Sequence, residues 1–203
     1  MTAIKICGIT RLEDAEAAVA LGANALGFVL WPDSPRHAAL ATVELITAAL
    51  PPFVVAVGVF VNPTADTINE AADAGIQLAQ IHGAPPAWGG ARPRVPVLRA
   101  VHLAPNGRDS IEPDVPDETV LLDAHDPDRH GGTGQTIDWV RASAIARARR
   151  IVLAGGLTPA NIGMAIRLVK PYGVDVASGV EASPGVKDHV LLRRFFDAAK
   201  ESV

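Results

Sequence analysis

Apolar and polar positions along the chain repeat one pattern eight times. A short run rich in valine, isoleucine and leucine is followed by a Gly or Pro break, and in most repeats by a run with helical period. The eight runs predicted to be strands cover residues 3–7, 25–30, 53–61, 77–82, 95–101, 120–123, 151–154 and 174–177. The run at 53–61 is almost wholly apolar, which is typical of a strand buried on both faces. The pattern therefore predicts a parallel sheet covered by helices.

Helices are predicted wherever the apolar period changes from strand-like to helical. The predicted helices cover residues 12–21, 43–50, 63–75, 138–149, 158 onward and 187–201. Thr10 and Glu13 fit the capping box that opens a helix, and Asn62 before Pro63 fits an N-cap followed by the first helical residue. Two segments lack such a pattern: 84–90 allows one helical turn at most, and 103–118 contains three prolines.

Eight strands joined by right-handed crossovers close naturally into a (β/α)8 TIM barrel. We expect this α/β fold as a single domain over residues 1–203, with shortened helices after strands 4 and 5 and a thinner barrel wall on that side. A doubly wound open sheet is the alternative. Such sheets usually have fewer strands and an early Gly-x-Gly-x-x-Gly turn, which this chain does not contain.

The composition narrows the classes of function. Hydrophobic residues make up 49% of the 203 positions, but no run approaches the roughly 18 apolar residues of a membrane helix. The first residues lack the apolar core of a signal peptide, so we expect a cytoplasmic protein that binds no membrane. A net charge of −4 without a basic stripe argues against nucleic-acid binding. A single cysteine excludes an internal disulfide and a Cys-rich zinc site.

That cysteine, Cys7, lies at the carboxyl end of the first predicted strand. In a barrel all the loops that follow strands open onto one rim, and the chemistry gathers there. A small buried hydrophobe is the alternative role, and most free cysteines have it. Position alone leaves both roles open.

Polar residues inside apolar strands need a structural or a functional reason. Lys5 shares a strand face with Cys7, Asp175 lies within the eighth strand, and Gln80 and His82 lie in the fourth. Because a closed barrel places strands 1 and 8 side by side, we predict that Lys5 pairs with Asp175. A buried ion pair of structural value and the polar mouth of a substrate pocket are both open interpretations.

Two glycine turns follow the last two strands, Gly155-Gly156 and Ser178-Gly179. At these positions barrels commonly hold phosphate with backbone amides and a helix N-terminus. Glycine allows such an approach because it has no Cβ. Either turn alone is weak evidence, but the pair predicts a ligand that carries phosphate.

Asp123 ends the sixth strand, where a capping or loop carboxylate is the simpler role. The loop after it contains the potential metal ligands His125, Asp126, Asp128 and His130, followed by the glycine-rich segment 131–134. Consecutive loop residues without helical His spacing favour a loop that folds over a ligand rather than a metal site. Arg36, in the loop after strand 2, fits a carboxylate-binding fork, the alternative being a solvated side chain.

Together these pieces resemble the phosphoribosylanthranilate isomerase family along essentially the whole chain. The matching segments are 5–10, 34–36, 57–62, 80–83, 121–123, 131–139, 155–157 and 175–181. The first and the last are specific to the family. Ile81 replaces the usual leucine, and Gln135 replaces a lysine often present after the glycine-rich loop.

The resemblance implies an isomerase of tryptophan biosynthesis that converts N-(5-phosphoribosyl)anthranilate to 1-(2-carboxyphenylamino)-1-deoxyribulose 5-phosphate by an Amadori rearrangement, without metal or organic cofactor. Asp123 would be the general acid at the furanose ring oxygen, and Cys7 the general base at C2′. The implied substrate-binding residues are Lys5, Arg36, Gln80, His82, Gly132, Gly134, Gly155, Gly156, Asp175, Ser178 and Gly179. The implied partner is this phosphorylated substrate, and the chain is expected as a monomer or a homodimer.

Two other functions stay open. A ketol-isomerase of the histidine pathway, or a barrel serving both pathways, would bind two phosphates and carry an aspartate at the position of Cys7. A sugar-phosphate-binding barrel that has lost catalysis would be expected to lack Cys7 or Asp123, and both are present.

Overall fold

Eight parallel strands close into a barrel in a computed structural model, which describes residues 2–83, 88, 90–103, 119–124 and 138–202. The strands are β1 (Ala3–Cys7), β2 (Ala25–Val29), β3 (Val55–Val61), β4 (Leu78–His82), β5 (Val97–Leu103), β6 (Val120–Ala124), β7 (Ile151–Leu153) and β8 (Gly173–Val176). Each pairs with the next in chain order, and β1 pairs with β8 to complete the ring. The predicted barrel is confirmed, and the open sheet is wrong.

Six helices lie in the described part of the chain, after β1, β2, β3, β6, β7 and β8. They are α1 (Leu12–Leu21), α2 (Leu40–Ala49), α3 (Ala65–Asp73), α4 (Trp139–Ala148), α5 (Ile162–Val169) and α6 (His189–Lys200). Between β4 and β5 the described residues 83, 88 and 90–96 contain no helix. The rest of the two predicted helix-poor segments, at 84–87, 89 and 104–118, lies outside the described residues. None of the described helices is long and apolar enough to cross a membrane.

A β-hairpin that the sequence did not predict lies between β8 and α6. A 3-10 turn (Ser178–Val180) leads into β9 (Glu181–Ser183), which pairs antiparallel with β10 (Val186–Lys187). The predicted helix from residue 187 is therefore wrong at its start. Lys187 belongs to the hairpin, and α6 begins after Asp188, whose carboxylate accepts hydrogen bonds from the first helical amides.

Two predicted helix caps are also wrong. Thr10 does not cap α1, because its hydroxyl donates to the carbonyl of Gly185 in the hairpin at 2.5 Å, and Arg11 takes the cap position without a side-chain bond. Asn62 does not cap α3. It adopts a left-handed backbone with φ of 47°, and Thr64 caps the helix by accepting from the amide of Thr67. At α1 a distant contact thus displaces the local motif, whereas at α3 the cap lies two residues further along the chain than predicted.

The core has one layer between strands and helices and further clusters inside the barrel. Inside the barrel, Leu98 and Ala100 of β5 pack with Leu121 of β6 and with Ala154, which directly follows β7. Nearer the carboxyl rim, Cys7 packs with Val29 and Val59. Alternate residues of each strand face inward, so this alternation directs the polar residues of β1, β4, β6 and β8 into the barrel. Phe53 was predicted in β3 but lies before it, 92% exposed.

Candidate active site

A cavity of about 510 Å³ opens at the carboxyl rim of the barrel. Most of the residues predicted for the site line it: Cys7, Arg36, Gln80, His82, Asp123, Gly155, Gly156, Asp175, Ser178 and Gly179. Lys5 is not among the described lining residues. Gly132, Gly134, Gln135 and the potential metal ligands at 125–130 lie outside the described residues. Cys7 and Asp123 therefore face one cavity from two strands that are not neighbours.

Lys5 and Asp175 form the predicted ion pair across the seam that closes the barrel. The two residues are register partners in the β1–β8 ladder, and Lys5 Nζ donates to Asp175 Oδ1 at 2.9 Å. Burial disfavours the lysine's charge, but Asp175 and then Cys7 outweigh it, so the pKa of Lys5 lies above its ordinary value. Only Asp175 of the pair reaches the cavity lining, which favours a structural role for Lys5.

Cys7 lies at the end of β1 and is a buried residue of the cavity lining. Burial is the largest influence on the thiol and raises its pKa above the ordinary value. Lys5 opposes the rise, Asp175 adds to it and Lys187 opposes it. Gly27 on β2 makes room for this arrangement, because a Cβ there would lie 2.8 Å from Cys7 Sγ and 2.9 Å from Lys5 Nζ. In the unliganded protein the thiol form is therefore favoured over the thiolate.

Asp123 faces the cavity from β6 and is buried. It pairs in register with His102 of β5, and the ring of His102 lies 5.8 Å from that of His82 on β4. His82 Nε2 in turn lies 2.9 Å from Gln80 Nε2, two residues along the same strand face. A row of polar side chains thus extends from Asp123 across β5 to β4.

The two glycine turns after β7 and β8 pack directly against each other. Gly155 and Gly156 both have positive φ, 83° and 62°, which favours glycine. The side chain of Asn161 fixes that turn, since its amide donates to Gly156 O at 2.9 Å. A Cβ on Gly179 would lie 1.9 Å from the carbonyl oxygen of Leu157. Among the described residues, the amides of Gly156 and Gly179 donate no backbone hydrogen bond.

Arg36 extends from the loop after β2 over the cavity, where Glu181 of the hairpin holds it. Nε donates to Oε1 and Oε2 of Glu181 at 3.0 and 3.1 Å, and Nη2 donates to Oε2 at 2.7 Å. Burial tends to raise the pKa of Glu181, but bonds from Arg36 and Lys187 outweigh it and lower that pKa. The solvated alternative for Arg36 is therefore wrong, because its side chain is only 14% exposed and lies in an ion pair.

Lys187 and Glu181 are not among the described lining residues, but they contact Cys7 and Arg36, which are, and the sequence reasoning did not predict them. Lys187 is buried, and its Nζ donates to Cys7 O at 2.6 Å and to Glu181 Oε1 at 2.8 Å. Burial lowers the pKa of Lys187, and Glu181 opposes that change. The signal available was Glu181, which ends the segment 175–181 used for the resemblance.

Known proteins are similar to this chain in both sequence and fold. The sequence profile of the N-(5'-phosphoribosyl)anthranilate (PRA) isomerase family matches residues 4–198. The N-(5'-phosphoribosyl)anthranilate isomerase of Pelobacter propionicus is 48% identical over 207 aligned positions, covering 100% of this chain and 97% of that protein. The solved phosphoribosyl anthranilate isomerase of Thermus thermophilus is 42% identical with a TM-score of 0.86, covering 98% of this chain and 99% of that one. A third enzyme, solved with reduced 1-(o-carboxyphenylamino)-1-deoxyribulose 5-phosphate, is 35% identical with a TM-score of 0.81, covering 99% and 100%.

Proposed function

Because the chain belongs to the N-(5'-phosphoribosyl)anthranilate isomerase family, we propose that it rearranges N-(5'-phosphoribosyl)anthranilate in the rim cavity, with Asp123 as acid and Cys7 as base. The observation that carries this proposal is the meeting of Cys7, Asp123 and both glycine turns on one cavity. The comparisons favour this substrate over the histidine-pathway alternative. The activity is that of an aldose–ketose isomerase, and the family places it in tryptophan biosynthesis.

The first step opens the furanose ring. Asp123 gives a proton to the ring oxygen, the C1′–O bond breaks, and the nitrogen lone pair forms a C=N bond. The product is a protonated Schiff base, whose positive charge lies on the former amine. A general acid of this kind typically contributes about 10²–10⁴-fold to the rate.

The second step moves a proton from carbon to sulfur. The Cys7 thiolate removes the C2′ proton, the C–H electrons form the C1′=C2′ bond, and the C=N electrons return to nitrogen. The enolamine then becomes the ketone as the 2′-hydroxyl loses a proton and C1′ gains one. The thiol of Cys7 releases its own proton to solvent before it acts as base, and it ends the cycle protonated again. Asp123 ends ionised and takes one proton from solvent before the next turnover.

Substrate binding uses the rest of the cavity. The amides of the two turns, including those of Gly156 and Gly179, are suited to phosphate because backbone N–H groups approach an anion closely where no Cβ intervenes. Arg36 is suited to the anthranilate carboxylate. Glu181 occupies two N–H positions of Arg36, and Nη1 has no acceptor among the described residues, which leaves that edge for the substrate.

The direct test is the loss of phosphoribosylanthranilate fluorescence on addition of the purified protein. We expect turnover without added metal or cofactor. Cys7→Ser is expected to lose most turnover and still bind the reduced product analogue. Asp123→Asn is expected to lose activity with little change in thermal stability.

Three outcomes would contradict the proposal. Unchanged kinetics in Cys7→Ser would exclude the thiol as base. A large loss of stability in Asp123→Asn would indicate a structural carboxylate instead. A wild-type protein that binds the analogue without turnover would be the non-catalytic sugar-phosphate-binding barrel. The oligomeric state, monomer or homodimer, stays a prediction, and a measurement of the molar mass in solution decides between the two.

A further inference from the structure

A buried network of charged side chains joins the peptide of Cys7 to Arg36. Lys187 contributes the central ammonium group, which contacts Cys7 O at 2.6 Å, Ala177 O at 3.4 Å and Glu181 Oε1 at 2.8 Å. Glu181 then holds Arg36 through its other oxygen at 2.7 Å. The side chain of Lys187 is fully buried and that of Glu181 is 4% exposed. Lys187 thus ties the ends of β1 and β8 together below the cavity.

We propose that Lys187 is a positioning residue for the isomerase reaction, which fixes the end of β1 and stabilises the thiolate of Cys7 by its positive charge. The inference rests on the proposed function, because it assumes that Cys7 is the base. It adds a residue to which neither the resemblance nor the comparisons give a role.

The balance of charge around Cys7 supports an electrostatic role. The described charged or titratable groups around the site are Lys5, Asp175, Lys187, Glu181 and Arg36, then His82, Asp33 and Asp123 of the cavity lining, and Asp14, which accepts from the Lys187 amide and is paired with Arg11. The first two form a pair without net charge. Lys187 and Arg36 instead share one carboxylate, so their network carries one excess positive charge. An excess cation close to a buried thiol favours the thiolate.

The contacts of Lys187 also favour an electrostatic role over a purely structural one. A buried ammonium is costly unless it is paired, and an apolar side chain of similar length would fill the same space without that cost. The two carbonyls that Lys187 contacts belong to Cys7 and to Ala177, which directly precedes the turn proposed to hold phosphate. The charge is therefore placed where the base and the phosphate turn meet.

The test is the pH dependence of Cys7 alkylation by iodoacetamide. Cys7 is the only cysteine, so alkylation reports on this thiol alone. In Lys187→Met the apparent pKa of the thiol is expected to rise by about one unit, and alkylation below that pKa to slow about tenfold. We expect kcat to fall more than KM changes. Lys200→Met, which removes an exposed lysine on α6, is the matched control and is expected to leave both profiles unchanged.

Glu181 keeps its three hydrogen bonds from Arg36 in Lys187→Met, so the carboxylate is not left unpaired. Should the variant nevertheless fail to fold, Lys187→Gln retains donors without the charge and carries the same expectation. Lys187→Arg, which keeps the charge, is expected to restore the wild-type thiol pKa. A wild-type alkylation profile in both neutral variants, whatever their stability, would overturn the proposal. Turnover by Cys7→Ser would instead refute the proposed base, and the alkylation experiment would still decide whether Lys187 acts on the thiol.

Discussion

Gly179 is the position at which one added methyl group tests the proposed phosphate site most sharply. In Gly179→Ala the new Cβ would lie 1.9 Å from Leu157 O, 3.0 Å from Leu157 C and 3.2 Å from Thr158 Cα. All three are backbone atoms, so no rotamer change relieves the contact. Ordinary contact begins at 3.4 Å, and the two glycine turns must therefore move apart by more than 1 Å, an order-of-magnitude estimate for rigid backbones.

The expected magnitude follows from that separation. Overpacking of this kind costs about 1–3 kcal/mol of stability. A movement of this size breaks at least one amide–phosphate hydrogen bond, and a bond to a charged group contributes about 1.5–3 kcal/mol. Since about 1.4 kcal/mol is a tenfold change in affinity, KM is expected to rise about ten- to hundredfold. The proton transfers use other residues, so kcat is expected to change less.

The assay combines steady-state kinetics, inhibition by inorganic phosphate and urea unfolding. Gly22→Ala is the matched control, because Gly22 follows α1 with φ of 104° and a Cβ there meets nothing within 4 Å. This control is expected to lose about 1 kcal/mol of stability from backbone strain and to keep the wild-type KM. Wild-type KM and phosphate inhibition in Gly179→Ala would refute the placement of phosphate between the two turns.

Three further predictions concern charged groups. Lys5→Met is expected to lower the free energy of unfolding in urea by about 3–5 kcal/mol, because it leaves Asp175 buried and unpaired. The double variant Lys5→Met/Asp175→Leu is expected to recover most of that loss. Asp14, fully buried, accepts bonds from Arg11, His189 and the Lys187 amide, so Asp14→Ala is expected to cost about 2–4 kcal/mol. Burial alone would raise the pKa of Asp14, but these bonds lower it below its ordinary value of 3.8. The contribution of Asp14 to the stability of the fold is therefore present above pH 3.8 and is lost as the pH falls through the pKa of the folded state. Burial raises the pKa of Cys7 above its ordinary value of 9.0. The rate of alkylation in the wild type is therefore expected to rise about tenfold per pH unit through neutral pH and to be still rising at pH 9.0. A plateau of the rate near pH 7 would contradict this prediction.

The parts of the fold that follow from periodicity and ring closure could be predicted from sequence. The eight apolar runs correspond to eight strands. Closure of the ring places β1 beside β8, and the register of that pair brings Lys5 to 2.9 Å from Asp175. Cys7 and Asp123 were expected on one rim because parallel strands share their carboxyl end. These inferences need only the direction of each strand and its place in the order.

The contacts made by the hairpin could not be predicted in that way. Thr10 matched a local capping motif, but a carbonyl 175 residues away competes for its hydroxyl. Arg36 and Glu181 are 145 residues apart, and Lys187 and Cys7 are 180 apart. Contacts between residues so far apart in the sequence depend on where the β9–β10 hairpin folds back after β8. The spacing of apolar residues does not specify that position. The sequence pattern predicts one helix over 187–201, because a lysine at position 187 is compatible both with a helix and with the strand β10 that the structure forms there.

The resting state of the thiol constrains the order of the proposed steps. Burial outweighs the nearby cations, so Cys7 is mainly protonated before substrate binds. In the proposed mechanism, ring opening by Asp123 creates a cation on the substrate in the cavity that Cys7 lines. A positive charge close to a thiol lowers the thiol's pKa in the same way as a neighbouring lysine. The base therefore becomes competent only after the acid has acted. Lys187 and Arg36, with one carboxylate between them, supply the rest of the field that makes this second step accessible.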